Sequence, residues 1–486
     1  MMRPTLAAPE AGGRHAYSPH QRTALVLTGT GSAGAYHAGV LRALDEAGVK
    51  LDLVAGRGMG AVSALFAAVA GGSRLWSPQG LWRRAEIADL YPWREALRLV
   101  GWLLLAGGLI LTVPVIVAAA GLIVYQLALL FEPLGAGAAG RLAGGYVEWV
   151  AGAFHPAGLP TWLPRLAFLV LAMIIGVVIV AARRTLLQLP ARRRQRDAMW
   201  WAVLGAPLSH TRAPGVIRTA LWQLISGGAS LRQPAGSDLA RRYTELLSEN
   251  LGQPGFRELL FVVHDIDARR DLTFALLAPA HRREFFLRRP VQGGDPRSAE
   301  AIDLAGVARD LTLDAIDAAL TLPVVADPHL IVFSAESYWR GEAHQVCDRP
   351  SSVLRVLEEV ANAGVRQVIV ATASPELEGP HALSSRRTAP RARLSEFLAA
   401  EESASIRDTL HAAAPMFDAL FIVRPSHNPV GPLDLAGAFD PRSDRWHSLA
   451  EVIEHGYEDA YRQFIDPVVG GSGEALDSVV PQPEFR

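Results

Sequence analysis

The sequence predicts an α/β fold whose mostly parallel sheet is interrupted by a transmembrane hairpin of two helices, and three observations favour this architecture. Short apolar runs, several followed by glycine, alternate with stretches of helical period, a pattern typical of parallel sheets covered by helices. Residues 99–131 are 33 in number and contain no charge, which is unusual for a helix of a soluble protein. The mean hydropathy is +0.19 although 20% of the 486 residues are charged, so one part of the chain is unusually apolar.

The overall composition excludes several classes of protein. Lys and Arg number 47 against 48 Asp and Glu, and this balance argues against a nucleic-acid partner, which requires a concentrated basic surface. The single cysteine, Cys347, can form no intramolecular disulfide and no Cys-x-x-Cys zinc site. We therefore expect the main fold on the cytoplasmic side of a membrane, with no metal and no cofactor. The composition leaves the oligomeric state open.

The first predicted domain, residues 23–97, begins after a polar segment, 1–22, which lacks the apolar core of a signal peptide and is expected to be a disordered tail. An apolar run at 24–27 predicts a strand, and a glycine-rich loop and a helical period follow it. A second strand, at 51–55, leads through a glycine turn into a helix at 61–70. Two strand-turn-helix units therefore follow one another directly in the sequence.

The predicted transmembrane hairpin occupies residues 98–183. Its two spans are 99–131 and the 17 uncharged residues 166–182, each within or near the length that crosses a bilayer. The arginines that follow the second span place that end in the cytoplasm and the connection 132–165 outside; they are Arg183, Arg184, Arg192, Arg193, Arg194 and Arg196. We expect a multi-pass protein of the cytoplasmic membrane with its folded domain on the cytoplasmic side. The alternative is a pair of buried core helices.

The predicted remainder of the domain, residues 206–466, returns to alternating elements, and a flexible tail is expected at 467–486. Apolar runs predict strands, and periodic stretches predict helices. The strands are expected at 258–263, 329–333, 368–372 and 420–423, and the helices at 237–249, 299–321, 352–363 and 448–464.

The glycine-rich loop after the first strand admits two interpretations. Gly29, Gly31 and Gly34, with Asp52 eighteen residues further on, match a dinucleotide-binding fingerprint. However, Asp52 begins the second strand instead of ending it, which is the wrong end for reaching a ribose hydroxyl. The other interpretation is an oxyanion loop, since amides and a helix N-terminus after a glycine loop also face a negative charge.

The second interpretation is favoured because more residues agree with it. The helix opens with His37-Ala-Gly39-Val-Leu41, and the next turn is Gly56-Arg-Gly58-Met-Gly60. Together they resemble the start of a patatin-like phospholipase, over about 23–75 and more loosely 206–375. The resemblance implies a three-layer α/β fold that cleaves lipid acyl esters, with a serine nucleophile at the elbow, an aspartate base and an oxyanion loop. That loop would be Gly29, Thr30, Gly31, Ser32, Ala33 and Gly34.

The sequence departs from the family at each catalytic part. Gly58 occupies the nucleophile position between Gly56 and Gly60, while Thr30 and Ala33 replace a glycine and the arginine of the family loop. The family aspartate belongs to an Asp-Gly motif, and residues 338–350 contain none. Alignment on Pro350 places Glu342 at the acid position, whereas alignment on the glycine places Arg340 there.

Other residues were candidates for a displaced catalytic group. Ser32 and Ser63 are the nearest serines, although serine is common in such loops and helix starts. Cys347 has His344 and Glu342 within six residues, which would be a nucleophilic set if their side chains converged. His264 and Asp265 lie together at a strand end, where they would orient a reacting group; the favoured interpretation is that His264 is a hydrogen-bonded structural histidine. His37 is expected only to pack. The arginines 386, 387, 391 and 393 are expected to form an exposed basic loop.

The sequence therefore predicts a membrane-anchored, patatin-like α/β protein with membrane lipids as its partners. One hypothesis is a lipid acyl hydrolase relative that is catalytically impaired or uses a displaced nucleophile. The alternative is a non-catalytic protein that binds lipid or acts as a scaffold.

Overall fold

The chain forms two compact units in a computed structural model. The model describes residues 17–131, 133, 136–153, 155, 159–188, 205–227, 231–288, 295–374, 389–426, 431–440 and 445–470. The α/β unit comprises the described residues up to Pro92 and from His210 onward, and the helical unit comprises those of Trp93–Ser209. The predicted tails lie mostly outside the described residues, as do arginines 192–194 and 196 and arginines 386 and 387.

A mostly parallel sheet forms the centre of the α/β unit. In the described part of the chain, nine strands join in the order β5-β4-β3-β2-β1-β8-β9, with β7 also pairing with β3, and β6 with β7. The strands are β1 Thr23–Thr28, β2 Leu53–Arg57, β3 Glu258–Asp265, β4 Arg270–Leu276, β5 Ala301–Asp303, β6 His329–Val332, β7 Ala343–Cys347, β8 Gln367–Thr372 and β9 Ala419–Val423. A separate antiparallel pair is β10 Ala438–Asp440 with β11 Arg445–His447.

The first two strands of the chain lie at the centre of the sheet. β1 pairs in parallel with both β2 and β8, and β2 pairs in parallel with β3, so β1 and β2 are central. Both are buried along their full length, as expected for apolar parallel strands with helices on each face. The turns at their carboxyl ends are therefore brought side by side.

Helices cover the sheet and complete the described fold. In chain order they are α1 Ala33–Glu46, α2 Met59–Ala67, α3 Ser73–Trp76, α4 Glu95–Phe131, α5 Ala136–Ala153, α6 Leu159–Gln188, α7 Arg212–Ile225, α8 Gly236–Asn250, α9 Pro279–Leu287, α10 Thr312–Ala319, α11 Val353–Asn362, α12 Pro390–Ala413 and α13 Leu449–Ala460, which continues as a π-helix over Tyr461–Val469. Glycines let α1 and α13 approach closely, since a Cβ on Gly39 would lie 1.9 Å from the Ile453 carbonyl oxygen.

The predicted strand-loop-helix repeat is present, whereas part of the later chain differs from prediction. The strands β4, β5 and β7 were missed, and the helix predicted at 299–321 is instead β5 followed by the shorter α10. The sequence Ala343-His-Gln-Val-Cys347 carries polar residues and pairs at the side of the sheet, so it lacks the apolar run used to recognise strands. α12 was also missed, since alanine and charged residues there show no clear apolar stripe.

The described part of the helical unit contains three long helices, whereas the sequence predicts two. Within the described residues, Glu95–Leu130 alone is long and apolar enough to cross a membrane, while Arg165–Val180 is a shorter apolar stretch. The connection expected at 132–165 contains α5, which packs against α4 and donates the Tyr146 hydroxyl hydrogen to the Val117 carbonyl. A two-span hairpin is therefore not established by these helices.

Substitution by alanine is expected to have opposite effects on stability at two glycines, one in the crowded turn before α2 and one on the open surface of α7. A Cβ at Gly60 would lie 1.9 Å from the Leu27 carbonyl oxygen, whereas at Gly215, on α7, it would meet no atom within 4 Å. We expect Gly60→Ala to destabilise the α/β unit by about 3 kcal/mol. We expect Gly215→Ala to stabilise it by about 0.5–1 kcal/mol, because alanine favours helix. Thermal unfolding in detergent measures both, and equal effects would contradict the close packing at Gly60.

Candidate active site

The glycine turn after β2 has the backbone of a nucleophile elbow. Gly58 lies between the end of β2 and the start of α2 with φ 55° and ψ −131°. Residues other than glycine rarely adopt this backbone conformation outside such strained turns. Its flanking glycines are required by space, because a Cβ on Gly56 would lie 2.5 Å from the backbone of Gly60. The structure therefore builds the elbow that the sequence predicts, with no side chain at its tip.

Two acceptor groups crowd the tip of this elbow. A Cβ placed on Gly58 would lie 2.6 Å from the Gly29 carbonyl oxygen and 2.9 Å from Oδ2 of Asp348. The backbone amide of Met59 donates a hydrogen bond of 2.9 Å to the same carbonyl. Thus the position that a serine would occupy faces oxygen atoms, and the adjacent amide is already bonded.

Asp348 is the carboxylate beside the elbow, and neither sequence alignment selected it. Glu342 points elsewhere: its side chain is 66% exposed and lies 3.2 Å from Nε2 of His344. Arg340 is also exposed. Asp348 follows β7 directly and carries no Asp-Gly motif, so the family pattern gave no signal for it. Asp348 reaches the elbow because it follows β7, which pairs with β3, and the sequence did not predict β7.

A buried arginine holds Asp348. Nη1 of Arg57 donates to Oδ2 of Asp348 at 2.7 Å and to Oδ1 at 3.0 Å, while Nη2 lies 2.9 Å from Oε2 of Glu402 on α12. The three side chains are 0%, 1% and 4% exposed. Thr30, which replaces a loop glycine of the family, lies with its hydroxyl 3.4 Å from Asp348. We call Arg57, Asp348 and Glu402 the buried ion cluster.

The buried ion cluster has one cation for two carboxyl groups, and this imbalance appears in the pKa of Glu402. Burial raises the pKa of the Glu402 carboxyl, and the negative charge of Asp348 raises it further, while Arg57 opposes both effects. Burial by itself would lower the pKa of Arg57, but the two carboxylates raise it above its ordinary value. The guanidinium is therefore permanently charged, and the Glu402 carboxyl keeps its proton to a higher pH than an exposed glutamate does.

The glycine loop, Gly29 to Gly34, is closed by the protein itself. All six residues are buried. The amide of Ser32 donates to the Pro432 carbonyl at 3.0 Å, and the amides of Ala33 and Gly34 donate back into the loop at 3.2 Å each. A Cβ on Gly31 would lie 1.8 Å from the Pro432 oxygen. These three amides are committed to protein carbonyls and are not directed at a substrate oxyanion.

The two serines considered as displaced nucleophiles, Ser32 and Ser63, are buried and hydrogen-bonded. The Ser32 hydroxyl donates to the Gly431 carbonyl at 2.5 Å. Ser63 lies 3.3 Å from Nδ1 of His37, whose Nε2 is 2.8 Å from the Thr28 carbonyl oxygen, and Ser63 and His37 are 0% exposed. Burial lowers the pKa of His37 to about 4. This serine and histidine are adjacent, but no substrate can reach them in this structure.

The cysteine set does not converge. Cys347 pairs with His264 across β3 and β7, while His344, three residues earlier, contacts Oδ2 of the buried Asp265 at 2.5 Å. Burial raises the pKa of the Cys347 thiol to about 12, and nearby carboxylates act in the same direction. The thiol is thus kept protonated. His264 does not bond Asp265 but bonds Asp271 at 2.7 Å.

Comparison with known proteins gives one family and a short region of similarity. The family model described as Patatin-like phospholipase matches residues 25–119, which include the glycine loop and the elbow. Patatin-like phospholipase domain-containing protein 6 of Mus musculus is 43% identical over 70 residues, which are 14% of this chain and 5% of that protein. The proteins of the same name from Pongo abelii and Homo sapiens give the same values. The chain therefore covers about one twentieth of the length of these relatives.

Among solved structures, VipD from Legionella pneumophila aligns with a TM-score of 0.31 and 12% sequence identity. The alignment covers 92% of this chain and 67% of that chain.

The raised pKa of Glu402 predicts a pH dependence of stability. The folded protein keeps this proton above pH 4.5, the ordinary pKa, where the unfolded chain releases it. This contribution to the free energy of unfolding is complete below pH 4.5 and is lost as the pH rises through the folded-state pKa. Glu402→Gln removes the titration, so we expect the melting temperature of wild type to fall relative to that of this variant as the pH rises above 4.5. Glu401→Gln, at an exposed neighbour, is the control; the opposite trend at Glu402 would contradict the cluster.

Proposed function

We propose that the protein is a membrane-anchored, patatin-like protein that binds lipid without hydrolysing it at the elbow. The match of residues 25–119 to the patatin-like phospholipase family model supports the patatin-like part of this proposal. The observation that carries this proposal is the buried ion pair between Arg57 and Asp348 beside a glycine at the nucleophile position. The family gives a lipid-hydrolase-like function as the starting point. The loss of ester cleavage is our extension from the residues of the site.

Hydrolysis of an ester requires a nucleophile, a base and donors for the oxyanion, and each has a specific obstacle here. Gly58 has no side chain. The carboxylate that could act as a base, Asp348, accepts hydrogen bonds from Arg57 on both of its oxygens, so it is already engaged by the protein. The amide of Ser32 is bonded to Pro432. Removal of a serine nucleophile alone costs several orders of magnitude in rate.

Membrane lipids are the proposed partners, and the helical unit is the proposed anchor. α4 exposes large apolar side chains along its length, including Leu104, Leu111 and Ile123, each about 60–70% exposed. Such a surface is stable in hydrocarbon and costly in water. The unit is inserted in the chain between Pro92 and His210, so two connections tie the α/β unit to it. We propose the cytoplasmic membrane, with the α/β unit in the cytoplasm.

An active lipid acyl hydrolase remains the second candidate, and one observation favours it. The elbow keeps the strained backbone of Gly58, and a carboxylate lies where a serine side chain would need its base. Activity would require another nucleophile to enter this site, together with release of Asp348 from Arg57. The two candidates differ in whether the purified protein forms a covalent adduct with a serine-directed probe.

A serine placed at the elbow is the direct test of the proposed inactivity. We expect Gly58→Ser to show no more fluorophosphonate labelling and no more hydrolysis of a fluorogenic phospholipid than wild type in detergent. The new side chain would be 2.6 Å from the Gly29 carbonyl oxygen, and its base is paired with Arg57. Melting temperature is measured in parallel to show that the variant is folded.

Matched variants separate the outcomes of this experiment. Ser32→Ala and Ser63→Ala control for the two buried serines, and wild-type labelling lost in either variant would establish a displaced nucleophile. Robust hydrolysis by wild type would overturn the non-catalytic proposal. Efficient turnover by Gly58→Ser alone would show that Asp348 already serves as a base despite Arg57.

The anchoring proposal is tested by labelling single introduced cysteines in intact cells. Cys347 is buried, so the natural chain gives little background with an impermeant maleimide. We expect Gly145→Cys, on α5 with open space around it, to react from outside the membrane, and Glu401→Cys in the α/β unit to react only after lysis. Reaction of both positions only after lysis would overturn the proposed hairpin.

A further inference from the structure

A group of metal-ligand side chains lies in the α/β unit and takes no part in the elbow. Asp314 and Asp317 are three residues apart on α10, hence on one face, and His329 begins β6. Ligand atoms of these three side chains all lie within 4.8 Å of one another. Two carboxylates and an imidazole form a donor set that suits divalent transition metals such as Mn²⁺, Fe²⁺ or Zn²⁺.

His329 supplies a second observation that points to a ligand. Its Nε2 is buried and has no hydrogen-bond partner in the described part of the chain, although Oδ1 of Asp314 is 4.0 Å away. A buried polar atom without a partner is costly. An imidazole nitrogen is a common ligand of transition metals, so a bound cation would give this atom the partner that it lacks.

In this structure Arg218, on α7, provides the positive charge beside the two aspartates. Its guanidinium bonds Asp317 closely and lies 3.5 Å from Asp314. One guanidinium thus faces two carboxyl groups, and the Asp317 side chain is only 3% exposed. A divalent cation would compensate them better. The Asp314 side chain is 44% exposed, which gives such a cation a route of entry.

We propose that Asp314, Asp317 and His329 form a divalent transition-metal site in which Arg218 competes with the metal for the two carboxylates. The site is independent of the elbow, so its presence or absence does not affect the function proposed above. Binding displaces the Arg218 guanidinium toward solvent and brings the imidazole nitrogen of His329 into coordination. No covalent or redox step is involved.

The experiment measures Mn²⁺ alone binding to the full-length protein in detergent, by loss of the free-ion paramagnetic resonance signal. We expect one saturable site in wild type, lost in His329→Ala. Arg218→Gln is expected to tighten Mn²⁺ binding by about tenfold or more, since it removes the competing charge. His281→Ala, which removes another histidine beside a carboxylate, is the control and is expected to bind as wild type does.

The alternative results are equally definite. A rise in melting temperature with Mn²⁺ confirms that Arg218→Gln is folded, and Asp317→Asn provides a second variant expected to lose binding. No saturable binding by wild type would overturn the proposal, even if Arg218→Gln bound Mn²⁺. Binding that persists unchanged in His329→Ala, or that weakens in Arg218→Gln, would overturn it as well, because the three side chains would then act only as a salt-bridge cluster.

Discussion

The buried guanidinium of Arg57, held between Asp348 and Glu402, is the interaction on which the elbow region depends. It connects the end of β2, the residue after β7 and the middle of α12, which are far apart in the sequence. Burying a charge is costly, and loss of Arg57 would leave both carboxyl groups without a cation. The cluster therefore fixes these three elements relative to one another and occupies the space beside Gly58.

The glycine turn at Gly58 is fixed by backbone packing that is separate from catalysis. Gly56 and Gly60 have no room for a Cβ because β2, α2 and the end of β1 meet there, and the positive φ of Gly58 closes the turn. The Pro432 carbonyl likewise fills the mouth of the glycine loop. Backbone sterics alone account for these glycines, so the glycine pattern by itself does not establish activity.

The first part of the fold could be predicted from local glycine patterns. The rest of the site could not, because it depends on contacts between residues far apart in the sequence. The loop and elbow each lie within a few residues and could be recognised directly. Asp348 contacts Arg57 across 291 residues, and it follows a short, partly polar strand that the apolar pattern did not reveal. Glu402 lies on a helix that was not recognised. The alignment on Pro350 consequently selected Glu342, whose side chain points to solvent.

A double-mutant cycle on Arg57 and Asp348 tests the central claim most directly. The free energy of unfolding of the α/β unit is measured in the full-length protein for Arg57→Met, Asp348→Asn and the double variant. The buried ion cluster predicts a coupling of about 2–3 kcal/mol, because Arg57→Met leaves Asp348 buried without its cation, whereas the double variant removes that charge as well. Effects that add to within about 0.5 kcal/mol would show that the two side chains do not interact as described.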